Sequence, residues 1–180
     1  MRVNDDALAS ADSMQVAKVL AAVIKRDGYD LVLTGKQAID DDNGQVGSML
    51  AGLLDCGHAA VVTKLEVADG AFTATREIEG GAEIVTGALP AVITCQKGLN
   101  EPRYASLPGI MKAKKKPLET KSLADLGLDA GDVGAAGSLI EVLAMTPPPA
   151  REGGKVIEGE TAADKAAALA DMLMNEAKVV

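Results

Sequence analysis

Apolar residues near the start of the chain recur at the spacing of a helix. The stripe predicts an amphipathic helix that begins at Met14, with Ser13 as its N-cap and Gly28 as its C-cap. The residues of the stripe are Val16, Val19, Leu20, Val23 and Ile24. Before this helix, Met1 to Ser13 are polar and acidic, and their pattern predicts neither helix nor strand.

A short apolar run, Leu31–Leu33, follows the helix and predicts a parallel strand that is buried on both faces. The strand leads into a polar loop that contains Gly35 and Gly44. After Gly47, apolar residues again recur at helical spacing and predict a second helix. The predicted order is therefore helix, strand, loop, helix, which is typical of a parallel α/β unit.

The middle of the chain changes from the helical period to runs of strand-forming residues. Asp69-Gly70 is typical of a hairpin turn, and Gly80-Gly81 predicts a second turn. The strands predicted around these turns are Ala60–Val67, Phe72–Ile78, Glu83–Leu89 and Ala91–Cys95. Together the patterns predict an α/β fold with a Rossmann-like parallel sheet and an antiparallel portion.

The pattern is weaker toward the C-terminus. Leu139–Leu143 is predicted as a last short strand, and Pro147-Pro148-Pro149 predicts an extended arm. A final helix is predicted to begin near Thr161, with its hydroxyl as the cap. We therefore divide the chain into an α/β domain, residues 1–146, and a C-terminal arm with a helix, residues 147–180.

Composition argues against several classes of function. A formal net charge of -8, with one Phe, two Tyr and no Trp, argues against a nucleic-acid binder. Cys56 and Cys95 are too few for a disulfide framework or a zinc cluster, and they favour free thiols in a reducing compartment. No apolar run reaches the length of a membrane span. We therefore expect a soluble intracellular protein.

The loop after the Leu31–Leu33 strand is the candidate site. Ligands of open α/β sheets bind beyond the carboxyl ends of the strands, and the amides that open a helix can receive an anion. The carboxylates of Asp40–Asp42 would repel a phosphate if all of them faced it. An anion site therefore requires contacts from backbone amides and from the polar side chains of Gln37, Asn43 and Gln45, with Asp42 or Asn43 capping the helix. From the residues alone, an anion site and a simple capped helix start are equally compatible with this loop.

Other chemistry receives little support from the sequence. There is no G-x-x-x-x-G-K-[ST] motif and no G-x-G-x-x-G motif. The calcium-loop pattern fails because Gly44 stands where Asp or Asn is needed. His58, the single histidine, is better explained as a polar residue in a turn. We predict no catalytic residue and no metal site.

A leucine framed by proline and glycine precedes a basic cluster. Leu107 lies between Ser106 and Pro108, and the cluster consists of Lys112 and Lys114–Lys116. Such a cluster is compatible with the solvated end of a helix. An exposed leucine beside basic residues is also typical of a docking feature for an acidic partner surface.

Two long motifs carry a family resemblance. The first is Gly35-Lys36-Gln37-Ala38-Ile39-Asp40-Asp41-Asp42, and the second extends from Asn100-Glu101-Pro102-Arg103-Tyr104 to Lys116. With the intervening segment 76–81, they resemble the beta subunit of electron transfer flavoprotein. The resemblance covers residues 15–180. It is closer to the housekeeping members than to those that serve nitrogen fixation or electron bifurcation.

The resemblance implies a fold and two cofactors. The fold is a Rossmann-like sheet of the adenine nucleotide hydrolase-like type, and the cofactors are a structural AMP and an FAD held mainly by the alpha subunit. The family's phosphate loop matches one continuous segment of this chain. The implied cofactor-binding residues are Gly35, Lys36, Gln37, Ala38, Ile39, Asp40, Asp41, Asp42, Asn43, Gly44, Gln45 and Val46.

The resemblance also implies partners. The beta subunit forms a heterodimer with the alpha subunit, and the pair carries electrons from acyl-CoA dehydrogenases to the membrane enzyme electron transfer flavoprotein-quinone oxidoreductase. Residues 97–117 match the recognition loop, in which Leu107 anchors in the dehydrogenase, and residues 147–180 would contact the alpha subunit. The implied partner-binding residues are Asn100, Glu101, Pro102, Arg103, Tyr104, Ala105, Ser106, Leu107, Pro108, Ile110, Met111, Lys112, Lys114, Lys115 and Lys116.

Family members begin with further strands and helices before the position of Met1. The resemblance therefore implies a beta subunit that is incomplete at its N-terminus, without direct membrane insertion, in the bacterial cytoplasm or the mitochondrial matrix. Two alternatives stay open: an adenine-nucleotide-binding α/β domain of an enzyme, and an incomplete fragment without function.

Overall fold

The computed structural model describes residues 1–151 and 153–179, which form two compact units, Met1–Glu141 and Val142–Val180. The first unit contains β1 (Arg2–Val3), α1 (Ser13–Asp27), β2 (Leu31–Gly35), α2 (Val46–Leu54), β3 (Gly57–Ala68), β4 (Ala71–Ile78), β5 (Gly81–Ala88), β6 (Ala91–Cys95), α3 (Leu107–Ala113), β7 (Thr120–Lys121) and α4 (Ala130–Val133). Short 3₁₀ turns lie at Asp6–Ser10, Ala124–Leu126 and Ala135–Gly137. The second unit contains α5 (Ala162–Asp171), which continues as a π-helix over Met172–Ala177.

The main sheet has five strands in the order β2-β6-β3-β4-β5. β6 pairs in parallel with both β2 and β3, whereas β4 pairs antiparallel with β3 and with β5. β1 and β7 form a separate parallel pair. The α/β class and the antiparallel portion are therefore confirmed, and the β3-β4 turn lies at Asp69-Gly70 as predicted. The β4-β5 turn is formed by Glu79 and Gly80, one residue earlier than predicted, because Gly81 already belongs to β5.

The core is aliphatic and lies on both faces of the sheet. On one face, Val92 packs with Ala17 and Ala21 of α1 and with Leu50 and Ala51 of α2. The other face carries the cluster Ala59, Val62, Phe72, Ala74, Ala91 and Ile93. The parallel strands β2 and β6 therefore hold the two helices that border the candidate loop.

The predicted burial of β2 on both faces is wrong, because Leu31 and Val32 are only partly buried and Leu33 is exposed. Val32 packs against the α1 and α2 cluster, but the side chain of Leu33 is 54% exposed. β2 pairs only with β6 and forms one edge of the main sheet, so fewer neighbours cover its side chains.

Three further predictions about local structure are wrong. Met1 to Ser13 contain β1 and a 3₁₀ turn, because Arg2 and Val3 pair with Thr120 and Lys121, a partner too distant in sequence to be predicted. Leu139–Leu143 forms no strand. The N-cap of α1 is Asp12 instead of Ser13, since Asp12 makes a capping box with Gln15. The predicted cap of α5 at Thr161 is confirmed.

Asp12 also holds the segment at Ser138 and Leu139 against the start of α1. One carboxylate oxygen accepts a hydrogen bond from the Gln15 N–H at 2.9 Å, and the other accepts from the Leu139 N–H at 2.9 Å. The Gln15 side chain is buried and donates to the Gly134 carbonyl oxygen at 2.6 Å. The backbone N–H of Gln15 lowers the pKa of Asp12 more than any other group, with help from Leu139 and Ser138. The charged carboxylate is thus the stabilised form in the fold.

The first turn of α2 lies directly against the sheet at Gly47. A Cβ built on Gly47 would overlap the Thr94 methyl group and would lie 3.0 Å from the Thr34 hydroxyl oxygen. Thr94 is on β6 and Thr34 is on β2, so the absent side chain lets α2 begin above the carboxyl ends of two parallel strands. Gly47 therefore positions the start of α2, which borders the candidate loop.

We predict that Asp12→Ala lowers the free energy of unfolding by about 1–2 kcal/mol at pH 7, because the variant loses the helix cap. The Asp12 pKa is lowered in the fold, so its contribution is complete above the unfolded pKa and is lost as the pH falls through the folded pKa. Urea unfolding is measured at several pH values between 7 and 3. The difference in the free energy of unfolding between wild type and the variant should become smaller as the pH falls. Asp12→Asn is the control, because it keeps a hydrogen-bond acceptor without the charge. If the difference in unfolding free energy between wild type and Asp12→Ala stays constant with pH, the charge has no role.

We predict that Gly47→Ala lowers the free energy of unfolding by about 1–3 kcal/mol, as overpacking at a closely packed position does. Gly52→Ala in the same helix is the matched control, because a Cβ there meets no heavy atom within 4 Å. Helix propensity favours alanine over glycine, so the control should be equal to or more stable than wild type. Chemical denaturation of both variants gives the comparison, and equal stability of the two would refute the close approach at Gly47.

Candidate functional site

A cavity of 290 Å³ lies where β2 ends and α2 begins. Its volume is at the lower limit of about 300–1,000 Å³ that is typical of small-molecule pockets. It opens at the carboxyl end of β2, the edge at which ligands of parallel α/β sheets bind. The residues that line it are Ser13, Leu20, Thr34, Gly35, Lys36, Gln37, Ala38, Asp41, Asn43, Gly44, Gln45, Val46 and Gly47.

The structure brings most of the predicted loop residues to this cavity. Of the segment Gly35–Val46, only Ile39, Asp40 and Asp42 are absent from the lining. The Ile39 side chain is fully exposed. The tip of the loop therefore faces solvent, while its two ends form the cavity wall.

The acidic run is held by donors of the loop itself. Asp42 has a φ of 55° and accepts a hydrogen bond from the Gln37 side-chain amide. Asp41 accepts from the Asn43 N–H at 3.2 Å, and Asp40 accepts from the Asp41 N–H at 3.0 Å. Because two of the three carboxylates lie outside the cavity lining, the run adds less repulsion toward an anion than its sequence suggests.

The prediction that Asp42 or Asn43 caps α2 is wrong. The N-cap is Gln45, and its side chain makes no capping hydrogen bond. Gly44 has a φ of 61°, and this left-handed turn separates Asn43 from the start of the helix. The amides that open α2 are therefore without a capping side chain at the cavity, an arrangement that suits an anion.

Sequence reasoning missed four residues of the lining: Ser13, Leu20, Thr34 and Gly47. Ser13 is 6% exposed, and the Thr34 hydroxyl oxygen is buried without a hydrogen-bond partner among the described residues. Thr34 could have been predicted, because it places a hydroxyl at the carboxyl end of an apolar strand, where ligands of parallel sheets bind. No sequence signal pointed to Ser13 or Leu20, because only the packing of α1 brings them to the loop.

The second motif contains a short exposed helix. α3 begins at Leu107, with the Ser106 hydroxyl accepting a hydrogen bond from the Gly109 N–H at 3.2 Å and with Pro108 in its first turn. The Leu107 side chain is 74% exposed, and Ile110 and Met111 are exposed as well. These three residues have the i, i+3, i+4 spacing of one helix face, so α3 presents an apolar surface to solvent. The residues preceding it, including Tyr104, are also exposed.

The predicted basic cluster adjoins this apolar surface. Lys112 lies in the last turn of α3, and Lys114–Lys116 follow it, all of them exposed. The basic cluster therefore lies at the solvated end of a helix, which was one of the two interpretations of the sequence. It also borders the exposed side chains of Leu107, Ile110 and Met111. This combination can attract an acidic partner by charge and bind it by apolar burial.

The remaining reactive residues lie apart from the cavity lining. His58 belongs to β3, so its predicted place in a turn is wrong; burial and the nearby Arg76 lower its pKa. Burial also raises the pKa of the Cys56 and Cys95 thiols, which keeps them protonated. Within residues 1–151 and 153–179, no group of three or more His, Cys, Asp or Glu residues is placed to hold a metal ion. No helix in the described part of the chain is long and apolar enough to cross a membrane.

Comparison with known proteins agrees with the two motifs. The electron transfer flavoprotein domain family matches residues 1–126. The electron transfer flavoprotein subunit beta of Bacillus subtilis is 44% identical over 98% of this chain and 67% of its own length. The subunit beta proteins of Bradyrhizobium diazoefficiens and Bos taurus are 43% and 44% identical, over 95% and 81% of this chain and 64% and 54% of their own lengths. The chain thus spans roughly half to two thirds of these relatives, and it belongs to the electron transfer flavoprotein family.

Proposed function

We propose that this chain is the beta subunit of an electron transfer flavoprotein, a carrier of electrons with no catalytic acid, base or nucleophile of its own. The observation that carries the proposal is the exposed α3 surface, in which Leu107, Ile110 and Met111 adjoin four lysines. A monomeric enzyme domain has no need of such a surface, whereas a carrier must dock on successive partners. The relatives are named electron transfer flavoprotein subunit beta, and this supports the same function.

AMP is the proposed ligand of the loop cavity. The residues present suit a nucleotide phosphate: the amides that open α2 have no capping side chain, Lys36 lines the cavity, and the Thr34 hydroxyl lacks a partner among the described residues. Asp41, the acidic residue in the lining, is engaged by the Asn43 N–H. In this proposal AMP is structural and ties the loop to α2.

FAD is the proposed redox cofactor, held mainly by the alpha subunit of a heterodimer. When bound, FAD supplies the chemistry of electron acceptance and release. This chain contributes the docking surface, and the arm and helix of residues 147–180 are proposed to bind the alpha subunit. The proposed electron donors are acyl-CoA dehydrogenases, and the proposed acceptor is the membrane quinone oxidoreductase of the same pathway. The compartment would be the bacterial cytoplasm or the mitochondrial matrix.

Copurification tests this assembly. The chain, co-expressed with an alpha subunit of the family, should elute with it as one species that shows flavin absorbance. An alpha subunit that elutes alone, with the chain in a separate fraction, would contradict the proposed heterodimer.

We predict that Gln45→Ala weakens AMP binding about fivefold to tenfold, because one hydrogen bond is worth about 1 kcal/mol. Gln45 lines the cavity, and its side chain makes no cap, so stability in the absence of ligand should change little. Isothermal titration calorimetry with AMP gives the affinity. Gln96→Ala, outside the cavity lining, is the control. Unaltered affinity of the Gln45 variant would count against the loop as the AMP site.

We predict that Leu107→Ala slows flavin reduction by an acyl-CoA dehydrogenase at sub-saturating partner concentration. Burying a leucine is worth about 1.5–3 kcal/mol, and losing it should weaken docking by about one to two orders of magnitude. The measurement is dehydrogenase-coupled flavin reduction in the complex with the alpha subunit. Since Leu107 is 74% exposed in the chain, the flavin spectrum should be unchanged.

The control for Leu107 is Ile84→Ala, an equally simple truncation of a residue that is 70% exposed on β5. The flavin in the complex with this variant should be reduced as fast as in the wild-type complex. Charge reversal at Lys114–Lys116 should slow the reaction more at low salt than at high salt, because screening removes steering. Equal rates for wild type and Leu107→Ala would exclude α3 as the docking element.

A further inference from the structure

We propose that the Thr34 hydroxyl donates a hydrogen bond to the phosphate group of the nucleotide in the loop cavity. The proposal rests on the proposed function and deepens it, because it names a phosphate-recognising residue outside the predicted loop Gly35–Val46. The ligand class is a nucleoside monophosphate.

The Thr34 hydroxyl differs from two other threonine hydroxyls of the same sheet. Its oxygen is buried and has no hydrogen-bond partner among the described residues. Thr94 on β6 accepts a hydrogen bond from the Val61 N–H at 2.9 Å. Thr63 on β3 donates to the Thr75 carbonyl oxygen at 3.2 Å. A buried polar group without a partner costs stability, so a ligand that supplies the partner is favoured.

The Thr34 hydroxyl lies close to the start of α2. Thr34 lines the cavity, and its oxygen lies 3.0 Å from the Cβ position of Gly47, beneath the first turn of α2. The amides of that turn have no capping side chain, and they point toward the same end of the helix. Both Thr34 and Gly47 line the cavity, so the hydroxyl and the start of α2 border the same space. A phosphate at the start of α2 would then accept from the amides and from Thr34 together.

The charged side chains that line the cavity are few. Of the charged residues in Gly35–Val46, only Lys36 and Asp41 line the cavity, whereas Asp40 and Asp42 do not. The Asp41 carboxylate accepts from the Asn43 N–H at 3.2 Å. Ser13 adds a second hydroxyl-bearing side chain to the wall and is 6% exposed. Neutral donors and one lysine therefore outnumber the single carboxylate at the place where the phosphate would bind.

Loss of the Thr34 hydroxyl should weaken phosphate binding without lowering the stability of the ligand-free chain. Thr34→Val keeps the shape and the strand preference of the side chain and replaces only the hydroxyl with a methyl group. Without nucleotide, the variant should be as stable as wild type or more stable, because an unpaired buried oxygen has gone. With AMP, its dissociation constant should rise about tenfold. Adenosine, which lacks the phosphate, should bind the two proteins within twofold of each other.

Thr63→Val is the matched control, because it makes the same substitution at a hydroxyl that has a partner. It should lower stability without nucleotide and leave the affinity for AMP unchanged. The full chain serves for all measurements: urea unfolding without ligand, and calorimetric titration with AMP, adenosine and inorganic phosphate.

Each further outcome is decisive. Equal AMP affinity for wild type and Thr34→Val overturns the proposal while the AMP site itself stands. A similar loss of affinity for AMP and for adenosine overturns the assignment to the phosphate. Lower stability of ligand-free Thr34→Val shows that the hydroxyl has a structural partner and also overturns it. If wild type binds neither AMP nor adenosine, the proposed AMP function fails, and the role of Thr34 fails with it.

Discussion

The close approach of α2 to the sheet at Gly47 is the constraint on which the candidate site depends. No side chain separates this residue from Thr94 of β6 and Thr34 of β2, so the helix begins directly above two parallel strands. A larger residue would lift the first turn and alter the space between α2 and the loop. The amides that open the helix, the end of β2 and the loop then enclose one cavity. The same contact leaves Thr34 beneath the helix without a protein partner for its hydroxyl among the described residues.

The loop illustrates how a run of like charges can lie beside a cavity at the start of a helix. Asp40, Asp41 and Asp42 each accept a hydrogen bond from a donor of the loop. Each carboxylate thereby stabilises a turn of the backbone instead of a ligand. Asp42 and Gly44 have positive φ values, so the backbone is left-handed at two positions before α2. The acidic side chains are therefore structural elements of the loop, and the amides that open α2 have no capping side chain.

The exposed helix α3 follows a different physical rule. α3 is short, and none of its residues is buried. The Ser106 cap and Pro108 help to fix its start, so apolar side chains are presented by a helix with a defined N-terminus. Exposing Leu107, Ile110 and Met111 is unfavourable in water, and this cost favours burial against a partner. The exposed apolar surface of α3 and the loop cavity are thus formed by different segments of the chain.

The sequence by itself determined the elements whose signals are local. The apolar period defined α1 and α2, the Asp69-Gly70 and Gly80-Gly81 turns defined β3 to β5, and the loop residues named from the resemblance mostly line the cavity. Tertiary structure decided what depends on distant partners. Arg2–Val3 becomes a strand only by pairing with Thr120–Lys121, and Leu33 is exposed because β2 is an edge strand. Ser13 and Thr34 line the cavity because packing brings α1, β2 and α2 together. The hydrophobic pattern of a single segment predicts its own secondary structure but not which other segments it will contact.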